Sequence, residues 1–385
     1  MHSSLTEIQL ERYKEFQEFA KGQVEPYANQ WDIDEALSPD IIAECAARGY
    51  LGGMIPQQYG GQEWDTVTYG LLNEAVGRSS ASLTALFNVH TMVAQTLLKW
   101  GTEQQKERWM ASLAKGSVLG AFALTEPGAG SDIQGITTEY RSEGDELILN
   151  GTKRWITCGG LADIFIVFGK LNGKPTACIV ERTQPGVTVI PVNHMLGFKA
   201  GHLAVLEFNN CIVPRDHMIG HEGIAFNYVA PYALEFGRIS VAWAAVGLLR
   251  GCLENSGAHA LRRRTFDRFL AEHSTISKYI TDMGVELEAA KLLCLDACRS
   301  KDEGLPEATE KIMAAKYYAS AASARHSPHA VQIMGALGCN EHFSVSRYYR
   351  DSKTFEIIEG SNEISQMILG KSYARKAKKL KRLTE

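Results

Sequence analysis

Apolar residues recur at three- and four-residue spacing from about Glu7 to Lys115, as in LERYKEFQEFAKGQVEPYANQW and NVHTMVAQTLLKW. That is the period of helices burying one face. Pro26, Pro39 and the loop GYLGGMIPQQYGGQ divide the stretch into several helices. Between Gly120 and about Gly223 the texture changes to short β-rich runs, GAFALTE, ELILNGTKRWI, DIFIVFG, TACIVE, GVTVIPV and LAVLEF, separated by Gly, Asn, Pro and Asp turn signals. Helical spacing returns from Ala225 in ISVAWAAVGLLRGCLENSGAHALRRRTF, STISKYITDMGVELEAAKLLCLDACRS and EKIMAAKYYASAASARHSPHAVQIMGALG. The pattern predicts an α+β multidomain chain: an all-α domain over 1–118, a β domain over 119–224 and a helical domain over 225–385. It is not the βαβ alternation of a doubly wound nucleotide fold.

Length and composition narrow the classes. A chain of 385 residues has room for two or three domains, and 45% apolar with 22% charged residues is ordinary for a soluble globular protein. Forty Lys and Arg against 44 Asp and Glu give a formal charge of −4, which argues against a nucleic-acid partner. Cys45, Cys158, Cys178, Cys211, Cys252, Cys294, Cys298 and Cys339 show no CxxC pair and no disulfide-scaffold spacing, which predicts a reducing cytoplasm. MHSSLTEIQLERY does not read as a signal peptide, and Ile239–Leu253, interrupted by Arg250, falls short of a membrane span, so no membrane partner is expected.

Four segments carry candidate chemistry. ALTEPGAGSD follows an apolar strand and sets Gly128, Ala129 and Gly130 between Pro127 and Ser131, a loop whose backbone can approach an anion or a ring edge. It matches neither GxGxxG nor the P-loop, and a structural turn reads as well as a phosphate cradle. KRWITCGG reads as a strand entering a turn, with Trp155 and Thr157 on one face: an aromatic slab beside a hydroxyl, or a core Trp. FEIIEGSNEI places Glu359 after Phe355, Ile357 and Ile358, where desolvation would raise its pKa, although an acid opening the next helix is the alternative. The histidines form no HExxH or Cys/His cluster, so no metal is expected, and GxSxG is absent.

Taken together and in order, GAFALTEPGAGSD, WIT, ALEFGRISVAWAAVG, RRTFDRFLAEH, QIMGALG, RYYRDSK and IIEGSNEI resemble the acyl-CoA dehydrogenase superfamily along the whole chain. The resemblance implies an N-terminal helical domain, a middle β-barrel and a C-terminal four-helix bundle, with FAD where they meet and a homodimer or homotetramer completing the site. It implies that the Leu124–Thr125 backbone and the Thr125 hydroxyl meet the flavin pyrimidine, that Ser131 meets the pyrophosphate, and that Trp155 and Thr157 flank the ring. Arg263, Phe266, Gln332 and Gly335 would reach a partner's FAD, and Ser361 would add a hydroxyl beside the cofactor. Glu359 matches the family's catalytic carboxylate, which takes the α-proton of an acyl thioester while the β-hydride passes to flavin N5. One branch places that carboxylate just before the Arg of ALEFGR, where this chain has Gly237. Glu235, Arg238 and Gly360 fall at the substrate side of the site, Glu235 at the acidic position near the pantetheine.

Three positions depart from the family pattern: Asp267 where Gly follows the Phe, Ala336 for a second Gly, and Ser361 for Thr. NVHTMVAQTLLKWG and GFKAGHLAVLEFNNCIVP resemble the branch acting on acyl groups held by carrier proteins in polyketide and nonribosomal peptide pathways. Two basic clusters agree: Arg262, Arg263, Arg264 and Arg268, and the tail with Lys371, Arg375, Lys376, Lys378, Lys379, Lys381 and Arg382. They could steer an acidic carrier protein, or serve only as a solvated helix end. The substrate is therefore an acyl thioester on CoA or, by preference, on a carrier protein. The alternatives are an acyl thioester oxidase or flavin monooxygenase of the same fold, and a non-catalytic binding homologue. Phe87, Val89, His90, Val93, Tyr232 and Leu234 are the expected pocket walls, with His90 either meeting a polar acyl substituent or, more simply, packed as a surface-cleft His.

Overall fold

The computed structural model describes residues 5–384, with side chains described to residue 378, so Lys379, Lys381 and Arg382 lie outside the described side chains. Six helices come first: α1 (Glu7–Phe19), α2 (Ala28–Asp34), α3 (Pro39–Ala47), α4 (Thr66–Gly77), α5 (Ala81–Trp100) and α6 (Glu103–Lys115). Their starts follow from capping chemistry. Thr6 and Thr102 form capping boxes with Gln9 and Gln105, while Asp65 and Ser80 accept from the backbone of Thr68 and Leu83. α5 is buried on every side from Ala81 to Leu97, which makes it a core helix.

Seven strands follow: β1 (Gly120–Ala123), β2 (Glu139–Glu143), β3 (Glu146–Ile156), β4 (Ile164–Leu171), β5 (Lys174–Glu181), β6 (Val187–Pro191) and β7 (Ala204–Pro214). They form one sheet in the order β1-β4-β2-β3-β7-β6, with β5 on the other edge of β4. β4 gives its first half to β1 and its last residues to β2, both parallel, which curls the sheet around a core that includes Leu147, Leu149, Phe165, Val167 and Leu206. This curled sheet is the middle β-barrel of the expectation. β3 slips register against β7 between Lys153 and Ile156, and there Trp155 takes φ of +62°. The alternation that set Trp155 and Thr157 on one strand face therefore fails at its decisive step. The bulge swings Trp155 outward, 42% exposed, and Thr157 lies past the strand end.

The remaining chain is α7 (Ala230–Ala260), a hairpin of β8 (Arg264–Thr265) and β9 (Arg268–Phe269), α8 (Ser274–Asp302), α9 (Ala308–Met334), α10 (Ser344–Phe355) and α11 (Asn362–Thr384). α7 is the axis of the molecule and packs on α4, α5, α8, α9 and α10. Its contact with α4 is close because Gly247 faces the Glu74 carbonyl, where an added Cβ would lie 2.1 Å from the oxygen. With the single π turn before it, the run Ala225–Ala260 is long and apolar enough to cross a membrane, contrary to the expectation from Ile239–Leu253 alone. Of its most apolar window, 83% is buried inside the molecule, so burial in the protein core accounts for the apolarity. All eight cysteines are unpaired.

Candidate active site

Glu359 lies in the short link between α10 and α11, in a left-handed conformation with φ of +56°, followed by Gly360 at +90°. Non-glycine residues seldom hold such a backbone without support. Here a half-buried and a fully buried cation supply it. Arg238 of α7 donates from Nε to the Glu359 carbonyl at 3.1 Å. Lys316 of α9, fully buried, donates from Nζ to the Gly360 carbonyl at 2.9 Å, to the Glu356 carbonyl at 3.4 Å and to Asn362 Oδ1 at 3.2 Å. Neither cation has a carboxylate within ion-pair distance among the described residues. Burial lowers Lys316 to about 8.

The Glu359 residue is half-buried, but its Oε2 is sealed from water and has no hydrogen-bond partner. Oε1 receives one long bond, from Asn88 Nδ2 of α5 at 3.4 Å. Burial raises the carboxyl to about 7, against the opposing pull of Arg238, Lys316 and Asn88. Gly237 makes the space: a Cβ there would stand 2.2 Å from Glu359 Oε2 and 3.0 Å from Met92 Sδ. The position that carries the carboxylate in the other branch of the resemblance is thus the position that must be bare for this carboxylate to fit. The expected apolar shield is partly different. Phe355 is buried, but Ile357 is 60% exposed, and the seal comes from α5 and α7.

A second cluster forms where β1 meets β3. Arg154 N donates to the Thr125 carbonyl at 2.9 Å, and Lys153 Nζ donates to the Leu124 carbonyl at 3.0 Å, so two sequence segments about 30 residues apart become one ledge. Lys153 also pairs with Glu126 at 2.7 Å, both side chains being buried. Glu126 further accepts from Thr137 N, the Thr137 hydroxyl and Thr138 N. Burial alone would raise Glu126, but these donors outweigh it and hold the carboxyl at about 2. The loop beyond is closed by reciprocal bonds between Glu126 and Ala129, and Gly128 and Gly130 face open space. On this ledge the hydroxyls of Thr125, Thr157 and Ser131 bond to no described residue, and the Trp155 indole stands free except for Arg154, whose guanidinium lies 4.4 Å from its ring centre.

Other expected residues lie elsewhere. Arg263 and Phe266 sit at the α7–α8 hairpin and Gln332 and Gly335 at the end of α9, all exposed; Phe266 is 90% exposed. No bond or ring contact joins them to Thr125, Trp155 or Glu359 among the described residues. Ser361 accepts from Ile364 N and opens α11. Glu235 is tied to Lys301 and Thr309, and Lys301 sits 4.9 Å from the rings of both Tyr232 and Phe236. His90 is fully buried between the Leu113 carbonyl and Gly120 N, and burial lowers it to about 4. It ties α5 to α6 and β1 rather than facing a substrate. Asn88, Met92 and Lys316 were absent from the expected site. A helix-interior Asn one turn from Met92, and a Lys in phase with Ile312, Ala315 and Ala319, are the signals that mark them.

Family models for the N-terminal, middle and C-terminal domains of acyl-CoA dehydrogenase match residues 6–117, 121–211 and 227–374. The chain belongs to the acyl-CoA dehydrogenase family. It is 35% identical to an acyl-CoA dehydrogenase of Bacillus subtilis (strain 168) over 95% of this chain and 98% of the relative. Among solved structures, butyryl-CoA dehydrogenase from Megasphaera elsdenii superposes with a TM-score of 0.92 at 33% identity, covering 96% of this chain and 99% of that one. The prolyl acyl carrier protein oxidase AnaB gives 0.91 at 28%, covering 96% and 99%. The chain is accordingly a flavin-dependent oxidoreductase whose cofactor is FAD. The unpartnered hydroxyls and the outward Trp155 fit such a cofactor, since a flavin offers polar edges to the former and a ring face to the latter.

Proposed function

We propose that Glu359 is the base that removes the α-proton of an acyl thioester. The carrying observation is its carboxylate: sealed from water at Oε2, unpartnered there, and raised to about 7. A base is most effective when its pKa lies near working pH, and burial supplies that shift. The Glu359 N–H has no acceptor among the described residues, and Gly360 leaves the backbone open on that side. That N–H donates to the thioester carbonyl, where charge develops as the α-proton leaves. Arg238 and Lys316 hold the link rigid, so base and N–H keep one geometry through the reaction.

When bound, FAD supplies the acceptor for the hydride that leaves the β-carbon. Leu124 and Thr125 would hold its pyrimidine edge, Ser131 its pyrophosphate, and Trp155 and Thr157 the ring. Arg263, Phe266, Gln332 and Gly335, which stand outside this chain's own ledge, would serve a neighbouring subunit in a homodimer or homotetramer. Ser361 stands close enough to Glu359 in sequence to add a hydroxyl on the cofactor side. Glu235, held by Lys301, would border the pantetheine entrance. The domain divisions at 118/119 and 224/225 and a cytoplasmic location belong to the same reading.

The carrier of the acyl group is proposed to be a carrier protein in preference to free CoA. The likeness to a prolyl carrier-protein oxidase supports this, as do the exposed Arg262, Arg263, Arg264 and Arg268 with Lys371, Arg375 and Lys378. Lys376 is partly spent on Glu310. The same neighbour is named an oxidase, so oxygen as the electron acceptor is the second reading; stopped-flow reoxidation after anaerobic reduction separates the two. The primary test mixes the FAD-loaded protein anaerobically with one acyl group on CoA and on a holo carrier protein. Flavin bleaching with loss of two hydrogens from the acyl group, faster on the carrier, is expected. No bleaching with any acyl thioester overturns the function, and a preference for free CoA overturns the carrier assignment.

A further inference from the structure

Asn88 stands at a position where an alkyl-chain pocket has no use for it. It is 4% exposed, on a helix face whose next turn presents Met92 to the same site. Its Nδ2 is committed to Glu359 Oε1, which fixes the amide orientation and leaves Oδ1 facing away from the carboxylate. That oxygen is sealed from water and has no donor among the described residues. Three polar side chains of α4 and α7 bond elsewhere. Tyr69 donates to the Phe87 carbonyl at 3.2 Å, Asn73 to the Tyr69 carbonyl at 2.9 Å, and Ser240 to Asn73 Oδ1 at 2.8 Å. An acceptor buried without a donor is costly, so it marks a place where something else supplies the donor.

The carboxylate fixes where that something is. A base removing an α-proton must come within roughly 3–3.5 Å of the reacting carbon. Asn88 touches that same carboxylate through Nδ2, which sets its amide beside the path of the acyl chain. We propose that Asn88 is a specificity-determining residue and that the acyl group carries an O–H or N–H donor beyond its β-carbon, which donates to Asn88 Oδ1. Asn88 takes no part in the proton transfer. The inference rests on Glu359 being the base and deepens that reading by naming the substrate class. A plain alkyl chain leaves the amide oxygen unpaired, and a site built to bond a hydroxyl rejects the analogue that lacks it.

The test compares two isosteric pairs, each on CoA and on a holo carrier protein, with the FAD-loaded protein: 4-hydroxybutyryl against valeryl, and 5-hydroxyvaleryl against hexanoyl. At least one hydroxyl substrate is expected to exceed its alkyl partner by about tenfold or more in kcat/KM. In Asn88→Leu that ratio falls to about one or below, while the change common to both substrates, from the lost bond to Glu359, cancels. Equal rates for both members of both pairs in the wild-type protein mean that a trapped water serves Oδ1, and overturn the inference without touching Glu359. A hydroxyl preference that survives in Asn88→Leu overturns the assignment to Asn88. Failure to oxidise any of the four acyl groups on either carrier, with FAD bound, contradicts the reading of the site as an acyl-thioester dehydrogenase on which the inference stands. Because the wild-type ratio needs no variant, poor folding of Asn88→Leu does not protect the proposal.

Discussion

At the scale of single residues, the site keeps one carboxylate at high free energy and surrounds it with cations that do not pair with it. Glu359 is raised to about 7 from an ordinary value of 4.5, so ionising it in the fold costs on the order of 3 kcal/mol. A carboxyl raised in the folded state binds its proton more tightly there than in the unfolded chain. Stability is therefore full below about pH 4.5 and is lost as pH rises through 7. Glu359→Gln is accordingly expected to unfold at higher denaturant than wild type at pH 8, the gap closing below pH 5; an equal gap at both pH values would contradict it. Lys316 acts on the same equilibrium from the other side. Lys316→Met removes a cation that favours ionised Glu359, so with Glu359 as the proposed base the acid limb of kcat/KM is expected to move above pH 7 and kcat to fall. A loss of packing alone would lower the rate and leave the limb in place. These residues show where sequence reading ends. Glu359 was legible because its motif is local, and Gly237 because its absence of a side chain stands at a named position. Asn88 and Lys316 act from helices α5 and α9, 271 and 43 positions away from it, and only packing brings them to the carboxylate.

Among elements, β1 and β3 show how a recognised motif acquires its shape. The loop after β1 and the end of β3 were each legible, but their union depends on Lys153 reaching both the Leu124 carbonyl and Glu126. Removing one partner of a buried pair is costly because the other charge stays buried, about 3–5 kcal/mol in comparable cases. Lys153→Met should therefore lower Tm and release FAD on gel filtration, and adding Glu126→Gln should recover part of both. Retention of FAD by the single variant would place the ledge's rigidity elsewhere. The order of helical, β and helical segments was readable because periods of 3.6 and 2 are properties of contiguous sequence. The bulge at Trp155 was not, since a φ of +62° is imposed by the slip of β3 against β7, a pairing between distant strands. The length of the apolar run through α7 is likewise underread: the sequence suggests Ile239–Leu253, whereas the helical run is Ala225–Ala260, and the packing of α4, α5, α8, α9 and α10 around it accounts for its apolarity.

For the whole molecule, several residues left unexplained by one chain are those proposed above to serve a neighbouring subunit. Phe266 sits in a two-residue hairpin turn with Asp267, both at positive φ, and projects an aromatic ring 90% exposed. So exposed a side chain contributes little to its own subunit. Phe266→Ser is expected to leave Tm of the apoprotein unchanged and to lower FAD retention of the assembled protein; unchanged FAD content would remove the hairpin from the cofactor site. The near-neutral total charge hid how the basic residues are distributed: four exposed arginines at or beside this hairpin and a basic face on α11. The link between α10 and α11 carries Glu359, to which the proton abstraction is assigned above. The direct measurement is anaerobic single turnover of Glu359→Gln loaded with FAD, using an acyl thioester that bleaches the wild-type flavin. A yellow protein whose bleaching rate is lower by about three orders of magnitude or more is expected. A rate within tenfold of wild type would contradict it.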